Sequence, residues 1–133
     1  MQYDEFVGLV QHRAKLASRG EAVQAIHATL QTLGERLFGN EANNLAAQLP
    51  REIGAYLQMA EYGERMTARE FFERVTLRER ADYPDAVYHA RAVISALLDA
   101  VSPGEIADIR AQLPGDFDVL FEWSGEGGEH RAA

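Results

Sequence analysis

The block Ala47-Gln48-Leu49-Pro50 returns letter for letter as Ala111-Gln112-Leu113-Pro114, 64 positions later. A chain that repeats itself at a fixed offset is expected to build two copies of one supersecondary unit. Pairing residues 21–57 with 85–121 without gaps gives nine identities in 37 pairs: the block itself, Ala22/Ala86, Val23/Val87, Ala28/Ala92, Leu33/Leu97 and Glu41/Glu105. Unrelated chains of ordinary composition would agree at roughly one position in fifteen. The apolar rhythm repeats as well, with Val23, Ile26, Leu30, Leu33 and Leu37 answered by Val87, Ala90, Ile94, Leu97 and Val101. Steps of three and four place each set on one helical stripe. Upstream of residue 21 the offset becomes 65, pairing Glu5-Phe6 with Glu70-Phe71 and Val10 with Val75.

The expectation is an all-α fold, a tandem duplication of a helical unit of roughly 55–60 residues, with about eight short helices and a pseudo-two-fold axis. Units of that size are marginal alone, so the two should share one core, packed through the 23–37 and 87–101 stretches. Residues 3–57 and 68–123 are read as the repeats, joined by 58–67, within a single domain over 1–123. The glycine-rich polar stretch 124–133 reads as a disordered tail.

Local signals place the helices. Apolar spacing predicts a first helix over 3–17. Ser18 with Glu21 and Thr67 with Glu70 have the form of capping boxes, and Ser102-Pro103-Gly104-Glu105 adds a proline at the first helical position. Gly39-Asn40 is expected to end the second helix and cap the third. The two prolines of the repeated block each bend the chain and open a further helix. Glu70, Glu73, Arg74 and Arg78 stand at spacings expected to give helix-supporting ion pairs.

A formal charge of −8 disfavours phosphate backbones, and the second half carries most of it: seven basic and thirteen acidic residues over 67–133, against six and eight before. With no cysteine, no apolar run of membrane length and no charged leader, the chain reads as a cytoplasmic protein without disulfides. His12, His27, His89 and His130 occupy no ligand spacing, and no nucleophile–base motif accompanies them. The carboxylate pairs Asp116/Asp118 and Glu105/Asp108 read as solvated helix surface, so neither a metal nor a cofactor is expected. Trp123 reads as closing one end of the core, with a partner hot spot as the other reading. Gln48 and Gln112, polar residues kept inside a leucine-rich block, are expected to be partly buried. Each should brace the main chain around its own proline bend.

Three stretches together carry a family resemblance: Leu45-Ala46-Ala47-Gln48-Leu49-Pro50, Glu70-Phe71-Phe72-Glu73-Arg74-Val75, and Asp108-Ile109-Arg110-Ala111-Gln112-Leu113-Pro114. From about Tyr3 to Phe121 the chain resembles the bacterial family called domain of unknown function 2267. The resemblance implies a helical fold and a bacterial cytoplasmic setting, and no activity. A non-enzymatic helical module that binds a protein partner or itself is therefore the leading expectation. A small-ligand protein or enzyme with a pocket between the repeats is the alternative, and a nucleic-acid-associated regulator is a weaker one.

Overall fold

The computed structural model describes residues 1–59, 61 and 63–123. They form seven α-helices and one 3-10 helix, with no strand among the described residues: α1 Tyr3–Arg13, α2 Arg19–Arg36, α3 Glu41–Ala46, α4 Arg51–Leu57, α5 Ala68–Glu79, α6 Tyr83–Ala100, α7 Pro103–Ala111 and the 3-10 helix Gly115–Phe121. The expected tail, 124–133, lies outside the described residues. None of the helices is long and apolar enough to cross a membrane.

Two of the capping boxes form. Ser18 Oγ accepts from the Glu21 amide at 3.1 Å while Glu21 accepts from the Ser18 amide at 3.2 Å. Thr67 and Glu70 exchange the same pair of bonds at 3.1 and 2.8 Å. Each box satisfies two amides that a helix start otherwise leaves open. Helix α1 stops at Arg13, four residues before the apolar spacing ends, because Lys15 takes a left-handed conformation (φ 57°) that no helix continues through. Asn40 precedes α3 without capping it. Its side chain bonds to those of Asn43 and Asn44, so the amides of α3 receive nothing from it.

The 18-residue helices α2 and α6 form the centre and pack on each other and on α1 and α5. Leu30, Leu33, Ile94 and Leu97 are fully or almost fully buried there, with Phe6, Phe71 and Phe117 closing round them. Helix α2 ends before Gly39 because Leu37 turns extended and buries its side chain; α6 ends identically, with Val101 extended. Two glycines let α4 approach: a Cβ on Gly34 would lie 2.9 Å from the Leu57 carbonyl carbon and nearer still to its oxygen, and one on Gly54 would lie 2.8 Å from the Ala46 carbonyl oxygen. The segment after Pro114 is wound as a 3-10 helix. There Asp116 is drawn to the start of α5, where its Oδ2 accepts from the Ala68 amide at 2.9 Å.

The segment between Gln58 and Thr67 is tied to the end of α2, with Gly63 N donating to Leu37 O and Glu64 N to Glu35 O, both at 2.8 Å. The ion pairs expected within α5 are replaced by longer reaches. Glu70 is occupied by its cap and Glu73 takes Arg69, while Arg74 and Arg78 both turn to Glu35 on α2. A nearly buried carboxylate in fork geometry outcompetes exposed neighbours along the helix, where each pair contributes only a few tenths of a kcal/mol.

Candidate functional site

The two glutamines of the repeated block stand just ahead of their prolines, so each side chain leaves the end of a helix sideways. Neither braces its own bend. Gln112 reaches the first half of the chain, where its Oε1 accepts from the Phe38 amide at 2.8 Å and its Nε2 donates to the Phe38 carbonyl at 3.2 Å. Gln48 reaches the second half, accepting from the Ser102 amide at 2.8 Å. The amides free to be taken are those just past the extended ends of α2 and α6. Phe38 and Ser102 are themselves 64 positions apart, as the glutamines are. Gln112 is half-buried but Gln48 is exposed, contrary to the expectation that both would be covered.

The same crossing recurs with charges. Arg78 on α5 forks onto Glu35 of α2 at 2.7 and 2.8 Å and touches Thr32 Oγ1 at 3.0 Å. Arg13 on α1 reaches Asp99 of α6 at 2.6 Å and Ser95 Oγ at 3.0 Å. Arg74 joins the first cluster, contacting Glu35 at 3.1 Å and Glu64 at 2.6 Å. The hydrogen bonds from Arg74 hold the Glu64 carboxyl below its ordinary range. Sequence reasoning missed this network although a signal was available: Arg13 and Arg78 match at the 65 offset, and Glu35 and Asp99 at the 64 offset. Arg36 adds a further tie, buried between the Phe38 and Phe117 rings with its Nε on the Met66 carbonyl at 3.0 Å.

The swapped glutamine bond has a consequence at α7. Ser102 Oγ accepts from the Glu105 amide at 3.3 Å, as a cap should. The returning half of the box is missing, because Gln48 holds the Ser102 amide that the Glu105 carboxylate would have taken. That carboxylate faces the α3–α7 contact, where ligand oxygens of Glu41, Glu105 and Asp108 all lie within 4.8 Å of one another. Glu105 is only 8% exposed, and its Oε2, like Glu41 Oε2, is buried without a donor. Burial pushes the Glu105 carboxyl up, helped by Glu41 and then by the charge of Asp108.

The other singled-out residues are dispersed. Trp123 is half-buried against the Tyr88 ring, 5.3 Å between centroids. His27 stacks on Tyr56 at 4.5 Å, His89 is buried against the Glu79 carboxylate, and His12 lies exposed on α1. Asp116 and Asp118 part company, the first capping Ala68 and the second meeting Arg110 at 3.3 Å. A polar groove of about 300 Å³ runs between α2 and α5, lined by Gln24, His27, Gln31, Arg78 and Arg80. His130 lies outside the described residues.

Compared with known proteins, the chain matches over residues 3–120 a family model described as "Uncharacterized conserved protein (DUF2267)". No curated protein matches it.

Proposed function

The chain belongs to the DUF2267 family, and on that footing we propose that it is a non-enzymatic protein-interaction module of the bacterial cytoplasm, built by duplication of one helical unit. The observation that carries the reading is the cross-pinning. Gln112 on Phe38 and Gln48 on Ser102 fix the starts of α3 and α7 from opposite halves of the chain. Arg78 on Glu35 and Arg13 on Asp99 fix the helices beneath them in the same crossed manner. Both pairings preserve the sequence offsets, which supports duplication about a pseudo-two-fold axis. The outward residues Asn43, Asn44, Ala107 and Asp108 are exposed on that pinned edge. A surface held rigid before binding loses little side-chain and loop entropy on association, which favours recognition. Asp108 on that edge and the chain's net charge of −8 suit a partner presenting lysine or arginine rather than a second copy of the same acidic chain.

Affinity purification with mass spectrometry tests this, using the parent chain and an Asn44→Arg/Asp108→Lys variant side by side. A partner retained by the parent and lost by the variant is the expected result. Partners indifferent to the double charge change would sink the reading. The α2–α5 groove supports a second reading, a small-ligand site between the halves, because Gln24, Gln31, Arg80 and the stacked His27 give it a polar lining. A nucleic-acid role draws no support from the geometry: Arg13, Arg19, Arg69, Arg74, Arg78 and Arg110 are all engaged by carboxylates.

A further inference from the structure

We infer that Glu41, Glu105 and Asp108 form a binding site for a hard divalent cation, calcium in preference to magnesium, bridging α3 and α7. Three carboxylates gathered on a helix surface would not by themselves imply a ligand. What distinguishes this group is the state of Glu105, which is 8% exposed, has a buried Oε2 without a donor, and sets a carboxylate oxygen into the cluster. Its natural donor, the Ser102 amide, is held by Gln48. Among the described residues no arginine, lysine or histidine forms an ion pair with any of the three carboxylates. Like charges so placed repel, and a bound cation relieves the repulsion that the protein's own cations leave untouched.

The donor set selects the ion. All three ligands are carboxylate oxygens, with no imidazole or thiolate, which excludes the preferences of zinc and copper. Oxygens within 4.8 Å of one another can share one ion, and calcium accepts an irregular set of six to eight oxygens whereas magnesium demands a near-ideal octahedron and gives up its waters reluctantly. Water would complete the coordination on the exposed Asp108 side. The site joins two halves of the chain, so the sequence spacing of Glu105 and Asp108 alone could not define it.

The site shares Asp108 with the proposed partner-binding edge but does not rest on that reading, and its test uses only the purified chain. After treatment with a chelator, thermal melts are recorded with calcium chloride, magnesium chloride, or potassium chloride of matched ionic strength. With a dissociation constant of about 0.5 mM, 5 mM calcium should raise Tm by about 3–6 °C, magnesium less, and potassium not at all. Calorimetric titration should give one site per chain. Glu105→Gln should melt at or above the metal-free parent, since it removes a repelled charge, and should lose the calcium response. Exposed Asp108→Asn should weaken that response, and Asp118→Asn should leave it intact. No calcium-specific rise in the parent would overturn the site, as would an equal rise in Glu105→Gln.

Discussion

Replacing Gln112 by Leu removes two hydrogen bonds that cross between the halves, leaving the Phe38 amide and carbonyl without their side-chain partners. A typical bond contributes about 0.5–1.5 kcal/mol net, so two give about 1–3 kcal/mol. Leucine recovers a little through apolar contact, and its helix propensity is close to that of glutamine. The expected loss is therefore about 1–2.5 kcal/mol. In urea, with a slope of about 1.5–2 kcal/mol per molar, the midpoint should fall by about 0.5–1.5 M. Gln48→Leu removes a single bond at an exposed position, where water replaces it, and should cost less than about 1 kcal/mol. Amide exchange followed by NMR locates the effect. Gln112→Leu should accelerate exchange at Phe38, and Gln48→Leu at Ser102, each far away in sequence. Equal costs for the two variants, or acceleration confined to residues around Pro50 and Pro114, would refute the crossed pairing.

Leu33→Ala and Leu97→Ala should each cost about 2–5 kcal/mol in the same titration, because both side chains are buried in the α2–α6 centre; a loss below about 1 kcal/mol would contradict their placement. Gly34→Ala should destabilise by more than about 2 kcal/mol despite the better helix propensity of alanine, since its methyl meets the main chain of Leu57 and α4 must move. A variant as stable as the parent would place α4 elsewhere. The depressed Glu64 carboxyl contributes stability that is present above its ordinary, unfolded-state range and is lost as pH falls through the folded-state value. Stability measured by urea titration from pH 6 to 3 should therefore fall more steeply with decreasing pH in the parent than in a chain without this carboxylate. Glu64→Gln should flatten that fall, and an unchanged profile would remove Glu64 from the account.

Helix content, the main breaks and the central stripe were legible in the chain itself. Those features follow from local chemistry: apolar residues three and four apart, Ser18 and Thr67 with their glutamates, and prolines that cannot continue a helix. Eight of the ten stripe residues on α2 and α6 are buried, and Val23 and Val87 only partly. Burial runs right round both helices where neighbours cover every side, as from Ala92 to Leu97, and that was not visible in the stripe. The partners of polar groups were not visible either. Gln48 and Gln112 announced themselves by repetition, yet the atoms they bind are backbone amides, which every residue but proline carries and no sequence marks. Glu105 read as half of a capping box, and locally that reading was sound. Tertiary structure decided otherwise, since a glutamine from the opposite half occupies the Ser102 amide and leaves the carboxylate facing Glu41. Arg74 and Arg78 read as helix support until packing brought Glu35 to them as a buried, two-oxygen acceptor. Periodicity and capping act over one helical turn and are written in neighbouring letters. Hydrogen bonds and ion pairs between the halves depend on which helix ends meet, and that is fixed only when the shared core closes.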